Sequence, residues 1–220
     1  MAELHDATEH YLETILSLEE EGVRPIRARI VERLGLSAAA VSETVERLTE
    51  SEYLEMLPDR SLRLTTSGRR LATTVIRRHR LAERLLHDVI GLEWEKVHKE
   101  ADRWEHAISS DVEAKLVELL GDPATCPHGN PIPGSTHTSG VTPTVLLTEA
   151  DTGSFTVTRV SEKLEFDDDA IALVAEARLM PGCTAKLIAR GAGGVSVLTD
   201  TGEHEVPQRV AEQLHVSAGV

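Results

Sequence analysis

The chain has 220 residues, 40% of them hydrophobic, and a formal net charge of −14, so it can form one large domain or two to three smaller ones. No apolar run approaches the length of a membrane span, and the acidic N-terminus lacks the layout of a secretory signal. Cys126 and Cys183 lie too far apart for a redox motif or a paired metal site. We therefore expect a cytoplasmic protein without a membrane segment.

The charge is distributed unevenly along the chain. The net charge is −7 over residues 1–23, +5 over residues 24–80 and −12 over residues 81–220. A basic segment inside an acidic chain is typical of a DNA-binding module, although a solvated arginine-rich face would give the same net charge.

The N-terminal residues have the element order of a winged helix-turn-helix. Apolar periodicity predicts a helix over 4–21, a second after Pro25 and a third capped by Ser37. Two short strands around Pro58 and Asp59 then predict a β-hairpin. In such a motif the last of the three helices lies in the major groove and the hairpin forms a wing along the DNA backbone.

Three further helices are predicted after the hairpin. One runs from about Ser67 to Ile90, another from about Glu93 to Ile108, and a third is capped by Ser110 and ends at Gly121. Their apolar stripes predict a dimer interface, because a helix-turn-helix protein usually needs two copies to span two half-sites.

The rest of the chain is predicted to contain a linker and a small β domain. Residues 121–147 are rich in Pro, Gly, Ser and Thr, and the short apolar runs that follow are separated by glycines. The predicted fold is mainly α with a small β domain. It comprises a winged helix-turn-helix over 1–73, a helical dimerisation domain over 74–140, and a small β-barrel over 148–220.

Ionisable side chains at helical spacing indicate metal binding. His79 and Glu83 are four residues apart and share one helix face. A second stripe borders the apolar face of the next helix and consists of His98, Asp102, Glu105 and His106. Partly desolvated donors of this kind favour a metal ion, although a charge-rich helix also places acids near histidines by chance. His128, in the proline-rich segment beside Cys126, is expected to be exposed.

No enzyme motif is present. The sequence has no His-Glu-x-x-His, no Gly-x-Ser-x-Gly and no phosphate-binding glycine loop, so we expect no enzyme. A metalloenzyme stays an alternative that would need an open metal position and a general base. A metal-buffering protein is another, but it would have no use for an arginine-rich recognition helix and wing.

Five segments of the chain resemble the diphtheria-toxin-repressor family of iron- and manganese-dependent repressors. They are RARIVERLGLSAAAVSETVERL, DRSLRLTTSGRRLAT, RRHRLAERLL, EWEKVHKEADRWEHAIS and GNPIPG. The resemblance is dense over residues 4–134 and thins across the linker, and the C-terminal part resembles the family's SH3-like domain in size and strand pattern.

The resemblance implies a homodimer in which a divalent metal bridges the DNA-binding and dimerisation domains, with two metal sites per chain. The implied primary (regulatory) site consists of His10, Asp102, Glu105 and His106. The implied ancillary site consists of His79, Glu83, His98 and Asp167, with Asp168 as an alternative to Asp167 and with Ala170 where the family has a glutamine. Arg80 and Asn130 match anion-binding residues, and Cys126 stands where a serine is usual.

The resemblance also implies the DNA contacts. The residues that match are Arg27, Ser37, Ala39, Ser42, Glu43, Arg47 and Arg60. Ala39 and Glu43 replace the family's usual proline and glutamine, and a glutamate accepts from a cytosine amino group instead of donating. We therefore expect a double-stranded operator that differs from the iron-box type; the family suggests two dimers on it.

Two positions of the primary site indicate which metal activates the protein. Iron-responsive relatives carry a methionine and a cysteine where this chain has His10 and Asp102. Nitrogen and oxygen donors without sulfur suit Mn²⁺. The sequence therefore predicts a manganese-responsive repressor of metal homeostasis, with an iron(II)-dependent repressor of iron uptake as the alternative.

Overall fold

The computed structural model describes residues 2–137 and 143–219, and its contacts divide the chain into two units. The first unit comprises Met1–His79 and Glu105–Ile108, and the second comprises Arg80–Trp104 and Ser109–Val220. The division into three domains drawn from the sequence stays a prediction.

The first unit begins with the predicted helices and hairpin. Its elements are α1 (Ala2–Glu20), α2 (Arg27–Leu34), α3 (Ala38–Glu50), β1 (Leu54–Met56), β2 (Leu62–Leu64) and the part of α4 (Thr66–Arg84) up to His79. Ser37 caps α3 as predicted, since its Oγ accepts a hydrogen bond from the Ala40 backbone N–H at 3.2 Å. Strands β1 and β2 pair antiparallel. The order helix, helix, helix, hairpin confirms the winged helix-turn-helix.

The hairpin is fixed to the start of α2. The Leu62 N–H donates to the Pro25 carbonyl at 2.9 Å, and Asp59 Oδ1 accepts from the Ser61 N–H at 3.0 Å. Arg60 adopts φ +63° at the tip, a conformation that the surrounding turn imposes on a non-glycine residue. The guanidinium of Arg60 is thereby presented on the exposed end of the wing.

One apolar core holds the first unit together. It consists of Tyr11, Leu12, Ile15, Leu16, Leu18, Ile30, Val41, Val45, Leu48, Leu54, Leu62, Leu64, Ala72 and Ile76. Because the core draws on α1, α2, α3, both strands and α4, it sets the position of the recognition helix relative to the wing.

The helices that follow the hairpin depart from the predicted pattern in three places. Helix α4 is followed by a π-helical turn (Leu85–Ile90) that ends at Gly91, whose φ is +79°. The single helix predicted over 93–108 is instead a 3₁₀ turn (Trp94–Lys96), α5 (Val97–Trp104) and a second 3₁₀ turn (Glu105–Ala107). Helix α6 (Ser110–Leu120) is capped by Ser109, which accepts from the Val112 N–H at 3.3 Å, so the prediction of Ser110 as the cap was wrong by one residue.

The C-terminal part of the second unit is an antiparallel sheet with short helices. In chain order its elements are β3 (Val145–Leu146), β4 (Gly153–Val160), α7 (Glu162–Glu165), α8 (Asp168–Glu176), β5 (Thr184–Gly191), β6 (Gly194–Thr199), β7 (Gly202–Pro207), α9 (Gln208–Ala211) and β8 (Leu214–Ala218). The strand order is β3-β8-β4-β5-β6-β7, and its inner side packs an apolar core that includes Phe155, Val197 and Val216. The predicted small β domain is confirmed. Within the described residues, no helix is long and apolar enough to cross a membrane.

The segment Cys126–Asn130 is a tight loop bound to β4. The Val160 N–H donates to the His128 carbonyl at 2.8 Å, and Asn130 Nδ2 donates to the Val160 carbonyl at 3.2 Å. Gly129 has φ +86°, and a Cβ at this position would lie 2.2 Å from the Thr158 carbonyl oxygen. Only a glycine fits this approach, so the predicted linker contains a built and largely buried loop.

Candidate metal centres and DNA-binding surface

The residues expected to contact DNA lie on α2, α3 and the wing. Ser37, Ala39, Glu43 and Arg60 are exposed, whereas Arg27, Ser42 and Arg47 are partly buried. Arg27 lies 3.5 Å from Glu46 of α3. Glu43, Glu46 and Glu50 are all exposed on α3, and Glu43 is the acidic residue among the positions expected to face bases.

In the first unit, carboxylates and imidazoles alternate in a chain of contacts. Glu9 Oε2 lies 2.7 Å from His106 Nδ1, and His106 Nε2 lies 3.3 Å from Glu105 Oε1. The other oxygen of Glu105, Oε2, lies 2.6 Å from His79 Nδ1. Glu13 also faces this group, since it, His79 and Glu105 offer ligand atoms that all lie within 4.8 Å of one another. Glu105 and His106, both expected at the primary site, are thus in contact.

The other two residues expected at the primary site are placed differently. His10 is exposed on α1, and the side chain of α1 that reaches His106 is Glu9. Asp102 belongs to the second unit, is partly buried and lies 3.9 Å from His98 Nε2. Sequence reasoning missed Glu9 and Glu13. Their i, i+4 spacing within the buried stripe of α1 was a usable signal, because acids rarely lie on such a stripe without a partner.

In the second unit, two carboxylates and two imidazoles form a ring of contacts. Glu165 Oε2 lies 3.0 Å from His98 Nδ1 and 3.1 Å from His128 Nδ1. Glu83 Oε1 lies 3.1 Å from His128 Nδ1 and 3.6 Å from His98 Nδ1. All four residues are at most 4% exposed. This cluster, Glu83–His98–His128–Glu165, is called the second-unit ring below.

The expectation that His128 is exposed was wrong, because the loop that carries it is held against β4 and His128 is 0% exposed. The carboxylate that reaches His98 from the C-terminal part is Glu165 of α7. Asp167 instead caps α8, accepting from the Ala170 N–H at 3.0 Å, and pairs with Arg209. Asp168 is exposed and pairs with Lys99.

Neighbouring side chains restrain the orientation of the ring residues. Asn130 Nδ2 donates to Glu165 Oε1 at 2.9 Å, which leaves Oε2 for the histidines. The indole of Trp94 packs on His128 with ring centroids 4.5 Å apart. The ring of Phe166 meets His98 edge-on at 4.8 Å. Such outer contacts hold donor atoms in place, which is a requirement for tight metal binding.

The ring is electrostatically coupled. Burial by itself would lower the pKa of His98, but the charge of Glu165 and hydrogen bonds with Glu165 and Glu83 outweigh burial and raise the pKa to about 10. Burial likewise opposes the protonation of His128, and Glu165 and Glu83 raise its pKa well above the usual range. Burial favours the neutral form of Glu165, yet the adjacent His128 lowers the pKa of this carboxyl. Without a metal, the carboxylates hold protons on the imidazoles.

Cys126 lies beside the ring as a buried thiol. It, Glu83 and His128 offer ligand atoms that all lie within 4.8 Å of one another. Burial, followed by the negative charge of Glu83, raises the pKa of the thiol to about 11. Near neutral pH Cys126 is therefore a neutral thiol and not a thiolate.

The residues expected to bind an anion have partners within the chain. Arg80 Nη1 donates to the Pro131 carbonyl at 2.6 Å, and Arg80 Nη2 lies 3.5 Å from Glu162 Oε2. Asn130 donates to Glu165. Arg80 and Asn130 thus each have a carboxylate of the chain nearby, and the anion site stays a prediction.

The donor atoms of both groups suit a divalent first-row metal. Each combines imidazole nitrogens with carboxylate oxygens, and the residues are mostly buried. Imidazole and carboxylate are ligands for Mn²⁺, Fe²⁺ and Zn²⁺ alike, so the residues fit metal binding without by themselves selecting one ion.

The chain is similar to proteins that are named as metal-dependent repressors. The family model described as the N-terminal DNA-binding domain of the iron-dependent repressor matches residues 3–62, and its metal-binding and dimerisation domain matches residues 65–134. The chain is 46% identical to the iron-dependent repressor IdeR of Mycobacterium tuberculosis, over 98% of this chain and 99% of that protein. It is 57% identical to the diphtheria toxin repressor of Corynebacterium diphtheriae over 61% of this chain and 59% of that protein.

Solved structures give the same fold. A manganese-dependent transcriptional repressor in complex with manganese is 30% identical, with a TM-score of 0.83 over 96% of this chain and 100% of that chain. The IdeR of T. acidophilum is 29% identical, with a TM-score of 0.76 over 96% of this chain and 97% of that chain.

These matches extend across the winged helix-turn-helix, the helices that carry the histidines and carboxylates, and the C-terminal sheet. The relatives are named as transcriptional repressors and not as enzymes. The chain therefore belongs to the iron-dependent repressor (diphtheria-toxin-repressor) family of metal-dependent, DNA-binding and dimerising transcriptional regulators.

Proposed function

We propose that the protein is a manganese-activated repressor that binds, as a homodimer in the cytoplasm, to operators of metal-homeostasis genes. The observation that carries the proposal is the chemistry of the primary site. Positions 10 and 102 of this site hold histidine and aspartate. Glu105 and His106, whose side chains are in contact, add a carboxylate and an imidazole. Oxygen and nitrogen donors without sulfur suit Mn²⁺.

The proposed primary ligands are His10, Asp102, Glu105 and His106, as the resemblance implies. The contact between Glu9 and His106 supports the addition of a carboxylate from α1. A further oxygen donor makes the set harder and more anionic, which favours Mn²⁺ over softer ions.

Carboxylates of the first unit provide a mechanism by which metal binding changes the position of α1. Glu13 and Glu105 are buried with carboxylate oxygens close together, and the buried Glu9 contacts His106. Carboxylates repel one another when nothing neutralises them. A bound divalent ion supplies positive charge to these carboxylates. Its binding free energy favours the conformation in which α1 places Glu9 beside His106, and disfavours other arrangements of α1.

The proposed ancillary site consists of His79, Glu83, His98 and a carboxylate from the C-terminal part. The resemblance assigns that carboxylate to Asp167, with Asp168 as the alternative. The contact between Glu165 and His98 supports Glu165 instead. Arg80 and Asn130 act in this proposal by holding carboxylates, not a free anion.

For DNA we propose that α3 lies in the major groove and that the wing contacts the backbone. Ser37, Ala39, Ser42 and Glu43 face bases, and Arg27, Arg47 and Arg60 contact phosphate or the minor groove. Two dimers on each operator complete the proposed complex.

Iron(II) is the second candidate, because the 46%-identical relatives are named as iron-dependent repressors. Fluorescence anisotropy of operator DNA at matched free Mn²⁺ and Fe²⁺, under anaerobic conditions, distinguishes the two. We expect Mn²⁺ at micromolar concentration to activate the parent protein. The double variant His10→Met with Asp102→Cys should shift the preference towards Fe²⁺. A parent that responds to Fe²⁺ and ignores Mn²⁺ would contradict the manganese assignment.

A further inference from the structure

A nearly buried ion pair joins the end of α1 to α2. Arg33 Nη1 donates to Glu21 Oε1 at 3.3 Å, and Arg33 Nη2 donates to Glu21 Oε2 at 2.6 Å. The Arg33 and Glu21 side chains are 6% and 12% exposed. We propose that Glu21 and Arg33 are positioning residues that transmit the metal-dependent position of α1 to the DNA-binding helices. The inference rests on the proposed function insofar as a metal beside α1 activates DNA binding there.

Helix α1 connects the proposed primary metal site with this ion pair. Glu9 and Glu13 are buried on α1, and Glu9 contacts His106. Glu21 directly follows α1, and its backbone N–H still donates to the Ser17 carbonyl at 3.0 Å, so the helix sets its position. At about 1.5 Å per residue, Glu21 lies about 18 Å from Glu9 along the helix axis. A shift or rotation of α1 at the metal therefore displaces the carboxylate of Glu21.

Helix α2 connects the ion pair with the DNA-binding surface. Arg33 lies in the last turn of α2, and Arg27, a proposed DNA contact, is its first residue. Between them, Ile30 is fully buried and shares the apolar core with Val41 and Val45 of α3. Because close-packed helices transmit a displacement to one another, a shift at Arg33 moves the proposed recognition helix as well.

The geometry of the pair gives it a role that apolar packing does not fill. Apolar contacts are non-directional, so they keep α1 and α2 together without fixing the rotation of one helix against the other. Two parallel N–H···O bonds between a planar guanidinium and a carboxylate fix both distance and orientation. Near-burial also protects the pair from screening by salt. The pair therefore holds one orientation of α2 relative to α1.

The experiment measures how strongly metal binding and DNA binding are coupled in the full-length chain. The DNA is a duplex that the parent protein selects, with Mn²⁺, from a random-sequence pool. Fluorescence anisotropy gives the dissociation constant of this duplex in chelator and at saturating Mn²⁺, and the ratio of the two constants is the coupling factor. Calorimetry gives the affinity for Mn²⁺ without DNA.

Glu21→Gln and Arg33→Lys should each lower the coupling factor by about 10-fold, within the roughly 5–150-fold range that such couplings span. Neither side chain is at the metal, so the affinity for Mn²⁺ without DNA should stay within about 2-fold of the parent's. A role in stability alone would lower the melting temperature and leave the coupling factor unchanged. Arg33→Lys keeps the charge but not the two parallel bonds, so it tests the proposal even where Glu21→Gln fails to fold by circular dichroism.

Two matched controls break other ion pairs of the same helices. Glu19→Gln breaks a pair between the last turn of α1 and Arg69 of α4, and Glu32→Gln breaks an exposed pair with Arg29 within α2. Both variants should keep the coupling factor within about 2-fold of the parent's, because exposed pairs contribute little to holding helices in place. A change of charge on α2 shifts both dissociation constants together, so the ratio cancels it.

An unchanged coupling factor in either folded variant, Glu21→Gln or Arg33→Lys, would overturn the inference and leave the proposed regulatory function intact. An equal loss of coupling in Glu19→Gln would also overturn it, since any contact of α1 would then serve. A parent whose DNA binding ignores all divalent metals would overturn the proposed function itself, and this inference with it.

Discussion

Asn130 Nδ2 donates a hydrogen bond to Glu165 Oε1 over 2.9 Å, so a carboxylate of the chain itself is the partner of a residue that the resemblance assigns to an anion. The resemblance implied that Asn130 and Arg80 bind an anion beside the ancillary metal. In the structure their partners are Glu165 and Glu162. The negative charge beside Asn130 and Arg80 thus comes from carboxylates of the chain itself.

We expect Zn²⁺ binding at the second-unit ring to be independent of sulfate. A carboxylate fixed to Asn130 leaves no role for an added anion. The His106→Ala variant lacks a primary-site ligand, so it reports on the second-unit ring, and its affinity for Zn²⁺ should be the same with and without sulfate at constant ionic strength. Glu165→Ala removes the internal carboxylate and should make Zn²⁺ binding weak and strengthened by sulfate. Sulfate dependence in the His106→Ala protein with Glu165 intact would show that a free anion completes the site.

The neighbouring residues Glu9 and His10 allow a matched test of the primary site. Glu9 is 8% exposed and lies beside His106, whereas His10 is exposed. Glu9→Gln should therefore raise the Mn²⁺ concentration for half-maximal operator binding by about 10-fold or more, and His10→Gln by about 3-fold or less. A larger effect of His10→Gln would identify His10 as the donor from α1, as the resemblance implies. Both variants should bind DNA equally at saturating Mn²⁺.

Two substitutions on the DNA-binding surface should have different signatures. Arg60→Ala at the tip of the wing should weaken binding to all operators similarly and reduce the salt slope by about one. Glu43→Gln on α3 should change which base is preferred at one operator position. The difference in binding free energy between operators with the two bases should change by about 1–3 kcal/mol. The control is Arg209→Ala, which removes an arginine of the second unit paired with Asp167 and should bind DNA as the parent does. If Arg60→Ala and Glu43→Gln both match the parent on a panel of operators, the placement of α3 and the wing is wrong.

The sheet should lose stability in mild acid through His215. Burial, followed by the charge of Arg159, lowers the pKa of His215 from 6.5 to about 4. In the unfolded chain His215 binds its proton near pH 6.5, so the free energy of unfolding should fall as the pH drops from about 6.5 to about 4. His215→Gln keeps an acceptor for Arg159 and should reduce this pH dependence. Urea unfolding of both proteins at pH 7 and pH 5, in chelator, measures the difference. Equal pH dependence in the two proteins would contradict the assignment.

The sequence was a good guide where local signals decide the structure. The Ser37 cap, the hairpin around Pro58 and Asp59, and the helical spacing of His79 and Glu83 all depend on residues a few positions apart. Such features follow from backbone hydrogen bonding and periodicity within one element.

The sequence was a poor guide where distant segments meet. The resemblance assigned the C-terminal ligand to Asp167 or Asp168. In the structure Asp167 caps α8, and the packing of α7 places Glu165 beside His98. The proline and glycine near His128 indicated an exposed linker. The prediction was wrong because amino-acid composition does not reveal the hydrogen bonds that hold this loop against β4. Helix α8 and strand β8 were missed because they are short, nine and five residues long, and a short element shows its periodicity only briefly.

The attachment of the Cys126–Asn130 loop to β4 has a consequence for biosynthesis. Glu83, His98 and His128 leave the ribosome before β4 and α7, but the backbone of His128 is held by the Val160 N–H, and Gly129 packs against the Thr158 carbonyl. The two histidines therefore cannot meet Glu165 until the C-terminal strands have been translated and have folded. A chain truncated before β4 would retain the DNA-binding helices but would lack Glu165, so these four donors come together only after β4 and α7 have been made.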